Sequence, residues 1–123
     1  MTIAAFLIVL AGAASPSPSA KATELRAQIV REIGEPRCTE QAQCRTLGVG
    51  SRACGGPEEY LAYSTLTAQP ERLQRLADAH RAARQAEHQG SGRLGTCIAL
   101  MDPGARCIPA TQRCELAPAK DDI

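Results

Sequence analysis

The chain is poor in large aromatic side chains, which bury the most apolar area per residue in a small protein. It has no Trp, one Phe and two Tyr among 123 residues. Phe6 lies in an N-terminal apolar run, so Tyr60 and Tyr63 are the aromatic residues of the remaining chain. A small domain with so little aromatic area has a thin core and needs covalent support.

Blocks of charge and catalytic motifs are lacking as well. The formal net charge is +1, and the Arg and Glu residues are scattered along the chain, which gives no support for a nucleic-acid-binding or membrane-surface role. No H-E-x-x-H, P-loop, G-x-G-x-x-G or G-x-S-x-G motif occurs. No C-x-x-C pair occurs either, which argues against a thioredoxin-like enzyme or a four-cysteine zinc site. We therefore expect neither cofactor nor metal.

The N-terminus predicts a signal peptide. The apolar run from residue 3 to residue 14 is too short to span a bilayer and has the length of a signal-peptide core. Small-residue cleavage patterns follow at residues 11–13 and 20–22. "VLAGA" has Ala13 where a lipoprotein signal has its lipidated cysteine, so we expect no anchor. The interpretation is a bacterial protein that is periplasmic or secreted, without membrane insertion after signal cleavage; the alternative is a buried N-terminal helix.

Export and an even number of cysteines together predict three disulfides. The cysteine spacing is roughly mirrored between the first three and the last three, which suits nested pairing of the two trios. Fifteen connectivities remain possible. The six residues are Cys38, Cys44, Cys54, Cys97, Cys107 and Cys114.

The residue patterns predict a small α+β domain, with two or three helices and a short antiparallel sheet or hairpin. Residues 1–22 are interpreted as signal peptide and linker, 23–118 as a single cysteine-rich domain, and 119–123 as a tail. Periodic apolar residues and end signals favour helices, and β-compatible runs beside turn residues favour strands. The expected helices are 23–34 (capped by Thr23), 57–64 and 70–90; the expected strands are 45–49, 97–101 and 113–116, with a turn at 102–104.

The stretch "ACGGPEEYLAYS" is typical of a helix start. Gly56 suits the N-cap and Pro57 the first helical position. Glu58–Glu59 would then place negative charge where the helix dipole favours it. Tyr60 and Tyr63, three residues apart, would share one face of this helix.

Cys54 has two interpretations. A thiol just before a helix can have a lowered pKa and act as a nucleophile, and a small cysteine hydrolase would pair it with a histidine base such as His80. Export and the even cysteine count favour a structural disulfide instead. His80 falls in the apolar stripe of the helix over 70–90 and is expected to be a core residue, whereas His88 lies near its polar edge and is expected to be solvated.

The exposed features suggest binding. The turn in "MDPGARC" could present Arg106 on a rigid loop between cysteines, as many small protease inhibitors present a basic residue; the alternative is an ordinary hairpin turn. Tyr60 and Tyr63 are further candidates for partner contact, although the scarcity of aromatic area favours a core position for both.

The motifs Gln43-Cys44, Cys54-Gly-Gly-Pro57 and Tyr63-Ser64 resemble those of small exported cysteine-rich bacterial proteins, many of them lipoproteins. The resemblance covers residues 38–116 and implies a common fold and export, but no activity. The expected function is non-catalytic binding of a protein partner by a monomer, with protease inhibition as one version. The alternatives are the hydrolase described above and a purely structural envelope component.

Overall fold

In the computed structural model, residue 12 and residues 16–91 and 99–118 are described. The protein has the expected α+β architecture: two helices and two small antiparallel sheets of two strands each. The elements are α1 (Pro18–Ile33), a 3₁₀ turn (Gln41–Gln43), β1 (Cys44–Val49), β2 (Glu59–Ser64), α2 (Pro70–Ser91), β3 (Ala105–Ile108) and β4 (Arg113–Leu116).

Helix α1 begins earlier than the sequence predicted. The Ser17 hydroxyl accepts a hydrogen bond from the Ala20 N–H at 3.2 Å, and Pro18 occupies the first turn, a combination that starts helices well. Thr23 is therefore not the cap and lies inside the helix. The interpretation of 15–22 as a linker is wrong over Pro18–Ala22, because this turn is helical and Ala22 is buried.

Residues 59–64 form a strand, so the predicted helix over 57–64 is wrong. Strand β2 pairs with β1 over its full length, from Cys44 opposite Ser64 to Val49 opposite Glu59. Gly55 and Gly56 have φ angles of 99° and 82°, whereas an N-cap residue has an extended backbone with negative φ. The glycines therefore belong to the loop of a hairpin. The predicted strand over 45–49 is confirmed as β1.

The β1–β2 hairpin separates the two tyrosines. Successive side chains of a strand point to opposite faces, so Tyr60 and Tyr63 lie on opposite faces of the sheet and not on one. Tyr63 is buried in the core on the helix side. Tyr60, half-buried, lies on the other side, where its hydroxyl donates a hydrogen bond to the Leu100 carbonyl at 3.5 Å.

The main core lies between the helices and one face of the β1–β2 sheet. Helix α2 confirms the helix predicted over 70–90, and its first apolar side chain, Leu73, is fully buried. It packs mainly against α1. The core residues come from both helices, both strands and the segment before α2: Ile29, Ile33, Leu47, Val49, Tyr63, Ala68, Leu73 and Ala77.

The C-terminal segment covers the opposite face of this sheet. Strand β4 confirms the strand predicted over 113–116 and pairs with β3. The loop between these strands is 109–112, so the turn at 102–104 is not a hairpin turn; it leads into β3. Residues 99–101 form no strand, and the first part of that prediction, 97–98, lies outside the described residues.

Two segments border the β3–β4 hairpin. Arg37 forms a bridge to Arg113 beside β4. On the β3 side, the Gln41 side-chain amide donates to the Ala105 carbonyl at 2.7 Å and accepts from the Cys107 N–H at 3.0 Å. Across the ranges that the structure describes, neither helix has the length and apolar character needed to span a membrane.

Candidate functional site

Two disulfides join residues 38–44, a segment that ends at the first residue of β1, to the C-terminal hairpin. Cys38 is bonded to Cys107 and Cys44 to Cys114, with Cα–Cα distances of 5.9 and 5.4 Å. Each bridge joins the first cysteine trio to the last, as the spacing suggested. The two bridges interleave, however, so nested pairing is wrong for these four residues. The register of the hairpin places Cys107 opposite Cys114, so all four cysteines meet in one place.

Cys54 is also disulfide-bonded and lies in the loop between β1 and β2. Its sulfur is therefore not a thiolate in this structure, which removes the nucleophile of the predicted hydrolase. Cys97 lies outside the described residues.

The two bridges form a second, smaller core. Cys38, Cys44 and Cys114 are buried together, and Ala62, Ala105 and Cys107 pack against them. The sulfur atoms of Cys38, Cys44 and Cys107 all lie within 4.8 Å of one another. This is a metal-sized cluster, but zinc is bound by thiolates, and these sulfurs are oxidised.

A cleft lies on the other side of the molecule, between α1, α2 and the loop that joins β1 to β2. Its volume is about 270 Å³. Carboxylates of Glu58, Glu59 and Glu87 and guanidinium groups of Arg26 and Arg84 line it, together with the ring of His80. Both signs of charge therefore meet here, on elements far apart in sequence.

Glu58 is the centre of the charged network. Its carboxylate accepts bonds from Arg84 Nε at 2.6 Å and Nη2 at 2.9 Å, and from the Ser51 N–H at 3.0 Å. The Arg84 bonds are the main cause of a lowered pKa for Glu58. Arg84 also pairs with Glu87. The predicted dipole role of Glu58 is wrong; the side chain ties the β1–β2 loop to α2.

Glu59 makes the matching connection to α1. Its carboxylate pairs with Arg26 at 2.8 Å, so the predicted dipole role is wrong here too. Gly50 permits the approach of Glu58: its φ is 86°, and a Cβ atom there would lie 2.8 Å from a Glu58 carboxylate oxygen. These ion pairs join residues 26 and 33 positions apart, which no local pattern reveals.

His80 is a core residue, as predicted, with 5% of its surface exposed. Its Nδ1 atom is buried without a hydrogen-bond partner. Burial is the main cause of a lowered pKa for His80; Glu58 opposes this effect and Arg84 adds to it, both more weakly. The ring is therefore neutral at pH 7. It lines the cleft, and Cys54 is not among the described residues that do so.

His88 is only partly solvated: 29% of its side-chain surface is exposed. Its Nε2 lies 2.7 Å from the Ser51 carbonyl oxygen. Because a carbonyl only accepts, Nε2 carries the proton. The same nitrogen is 3.9 Å from the Glu58 carboxylate. His88 therefore adds a second attachment of the β1–β2 loop to α2, besides the Glu58–Arg84 pair.

Arg106 is exposed, but it lies within β3 opposite Glu115. Presentation of Arg106 on the tip of a loop, the basis of the protease-inhibitor interpretation, is therefore wrong. The segment before β3 is held by hydrogen bonds: the Thr46 hydroxyl donates to Asp102 at 2.8 Å, and Gly104 N–H donates to the same carboxylate at 2.9 Å. Met101, beside this attachment, is 87% exposed.

The buried histidine predicts a dependence of stability on pH. Because the folded state disfavours the charged ring, the unfolded chain binds a proton at His80 first, and the free energy of unfolding should fall as pH drops below about 6.5. The pKa of Glu58 is lowered, so its contribution is present above about pH 4.3 and is lost as pH falls through its folded value. The charged groups that face His80 are Glu58 and Glu59 from β2 and its loop, Arg26 from α1, and Arg84 from α2.

Urea unfolding at about pH 7.5 and about pH 5.5, on either side of the ordinary histidine pKa, measures the loss of stability that protonation of His80 causes. We expect a lower midpoint at the acidic pH, and a smaller difference in His80→Gln. Glu58→Gln is the matched control. It should keep the difference in unfolding midpoint between these two pH values, and it should reduce the loss of stability below about pH 4.3. An unchanged midpoint in the unsubstituted protein would contradict the argument.

Comparison with protein-family models, with curated proteins and with solved structures gives no significant match for this chain.

Proposed function

We propose that this chain is a non-catalytic binding protein that works in an oxidising compartment outside the bacterial cytoplasm. The observation that carries the proposal is the state of its cysteines: all five within the described residues are disulfide-bonded. Disulfides form and persist in oxidising compartments and are rare in the cytosol. The bridges Cys38–Cys107 and Cys44–Cys114 connect the C-terminal hairpin to the rest of the domain.

Export accounts for this oxidised state. The apolar run at residues 3–14 has the length of a signal-peptide core. Of the two cleavage patterns, the one at 20–22 lies in α1, and Ala22 is buried. The pattern at 11–13 leaves Ser17 and all of α1 in the mature chain. We therefore place the cleavage site after Ala13.

The geometry supports binding rather than catalysis. The sulfur of Cys54 is bonded, and within the described ranges the cleft that contains His80 is lined by carboxylates and arginines that already pair with each other. Among the candidates for partner contact, Tyr63 is buried and is not available to a partner. Arg106 and Tyr60 lie on the C-terminal side of the β1–β2 sheet, away from the helices.

A thiol count tests the absence of a nucleophile. Alkylation of the native, unreduced protein is expected to label no cysteine, and alkylation after reduction in denaturant should label six. Since four cysteines pair with each other, the sequence leaves Cys97 as the expected partner of Cys54. A tryptic digest should then contain 53–72 joined to 94–106. Label on Cys54 in the native protein would overturn the non-catalytic assignment.

Site-specific photo-crosslinking tests partner binding in cells that make the full chain. A crosslinking residue at position 106 should yield one discrete adduct in the exported fraction. The matched control is position 75, since Arg75 is also exposed but lies on α2, on the opposite side of the sheet. Equal adduct patterns at both positions, or none at either, would count against a specific partner on this side.

A further inference from the structure

The two described disulfides lie side by side. Sulfur atoms that belong to different bridges, those of Cys44 and Cys107 and those of Cys38 and Cys44, are within 4.8 Å of each other. Exchange between bridges requires a thiolate to attack a disulfide sulfur at close range. The cluster therefore places the Cys38 sulfur next to the Cys44 sulfur that it would attack.

The hairpin cysteines are arranged so that they could pair with each other. Cys107 is directly opposite Cys114. The Cys107 N–H bonds to Gln41 and the Cys114 N–H to the Pro36 carbonyl, so the two cysteines form a non-hydrogen-bonded pair. Such pairs have Cα atoms about 4.5 Å apart, within the range of about 4.4–6.8 Å found for disulfides.

The other two cysteines are also brought together by local structure. The chain from Cys38 to Cys44 is a compact turn closed by Gln43, whose side-chain oxygen accepts from Thr39 N–H at 2.7 Å and from Glu40 N–H at 3.0 Å. The Gln43 N–H also donates to the Glu40 carbonyl at 3.2 Å. These bonds hold Cys38 near Cys44 without help from the bridges.

Solvent reaches the cluster at one residue. Cys38, Cys44 and Cys114 are buried, whereas Cys107 is half-buried at the edge of β3. We propose that the two bridges are a thiol–disulfide exchange site, in which an external thiolate attacks Cys107 to start the exchange, Cys38 transfers it to the second bridge, and the external thiolate is released unchanged at the end.

The exchange proceeds in three balanced steps. The external thiolate bonds to Cys107 Sγ and breaks its bond to Cys38, which leaves as a thiolate. Cys38 bonds to Cys44 Sγ and releases Cys114 as a thiolate. Cys114 then bonds to Cys107 Sγ and returns the external thiolate. No electrons are gained or lost overall, and the products are Cys38–Cys44 and Cys107–Cys114.

The exchange changes what holds the C-terminal hairpin. In the starting state both bridges connect it to residues 38–44. In the product each bridge is local, and the hairpin stays in place through hydrogen bonds such as Thr46 to Asp102 and Gln41 to Ala105. The exchange therefore replaces the covalent attachment of the β3–β4 hairpin to residues 38–44 by a non-covalent, reversible one.

Trypsin distinguishes the two states. Cys38 and Cys44 share the peptide 38–45, while Cys107 lies in 107–113 and Cys114 in 114–120. The starting state gives all three peptides joined together. The product gives 38–45 with an internal bridge and a separate pair, 107–113 joined to 114–120. The full chain, incubated with glutathione, quenched and digested without reduction, should show both product species rising together from background.

The peptide with Cys54, 53–72, is an internal control and should not exchange with the others. Equal scrambling into this peptide, or alkylated 38–45 without the product pair, would overturn the proposal.

A substitution tests the internal transfer without added thiol. In Cys44→Ser, Cys114 is left as a thiol beside Cys107. We expect it to displace Cys38, so that alkylation labels Cys38 and the digest contains 107–113 joined to 114–120. The matched variant Cys54→Ser should keep the three-peptide species. Label on Cys114 alone in Cys44→Ser would overturn the proposed transfer.

Discussion

Replacement of Cys44 and Cys114 together by alanine is expected to lower the free energy of unfolding by about 3 kcal/mol. While Cys38–Cys107 remains, the second bridge closes a ring of only about 15 residues, from 38–44 and 107–114, and the entropy of closing this ring sets the loss. The midpoint of thermal unfolding should fall by roughly 12–24 °C, at about 4–8 °C for each kcal/mol in a domain of this size. Circular dichroism of the oxidised proteins, followed on heating, measures this midpoint.

Removal of both bridges should cost more than twice as much. Cys54 keeps its own bridge. With Cys97 as its expected partner, the last of the other two bridges closes a ring of about 28 residues and contributes about 3.6 kcal/mol, so the total loss is about 6.6 kcal/mol. Small domains have a net stability of roughly 5–15 kcal/mol. The variant in which Cys38 and Cys107 are both replaced by alanine is the matched control, because it removes the other of the two bridges. If the four-alanine protein loses only the sum of the two pair variants, the loop-closure argument is wrong.

Ile29→Ala is expected to destabilise the protein by roughly 2–5 kcal/mol, the usual cost of removing a large aliphatic side chain from a packed core. Ile29 is fully buried and contributes to the main core from α1. The experiment therefore asks whether α1 is an integral part of the domain. Urea unfolding should show a lower midpoint with a similar slope, since the same surface is exposed on unfolding.

Val30→Ala is the matched control, one position along the same helix. Val30 is 46% exposed, so its truncation should change stability by less than about 0.5 kcal/mol. Equal effects of the two substitutions would mean that α1 does not pack on the domain as described.

The elements predicted correctly are those whose signals are local. Helix α2 has Pro70 at its start and an apolar stripe at helical spacing, and β1 and β4 are short β-compatible runs beside turn residues. These patterns depend on neighbouring residues alone. The fold class followed from them, together with the scarcity of aromatic residues and the number of cysteines.

The failures come from residues that suit two structures. Pro57 and two glutamates fit the start of a helix, but the same stretch continues as "EYLAYS", in which tyrosines have high β-propensity. Pairing along β1 decides between the two. Similarly, Ser17-Pro18 fits a linker as well as a helix cap, and burial of Ala22 against the rest of the domain favours the helix.

The candidate site was less predictable than the fold. Burial of His80 could be read from the spacing of apolar residues on its helix. The pairing of Glu58 with Arg84, and of Cys38 with Cys107, depends on how distant segments meet in space. Composition limited the disulfides to a set of alternatives, and the way in which residues 38–44 meet the β3–β4 hairpin selects among them.

Gln41 closes one edge of the smaller sheet. Its side-chain amide offers β3 a donor and an acceptor in the arrangement that a neighbouring strand's peptide group would offer, and residues 36–38 do the same for β4. An open strand edge is a template for pairing with other chains and for aggregation. Both edges of this two-stranded sheet are thus occupied, which protects a hairpin with little core of its own from recruiting a second molecule.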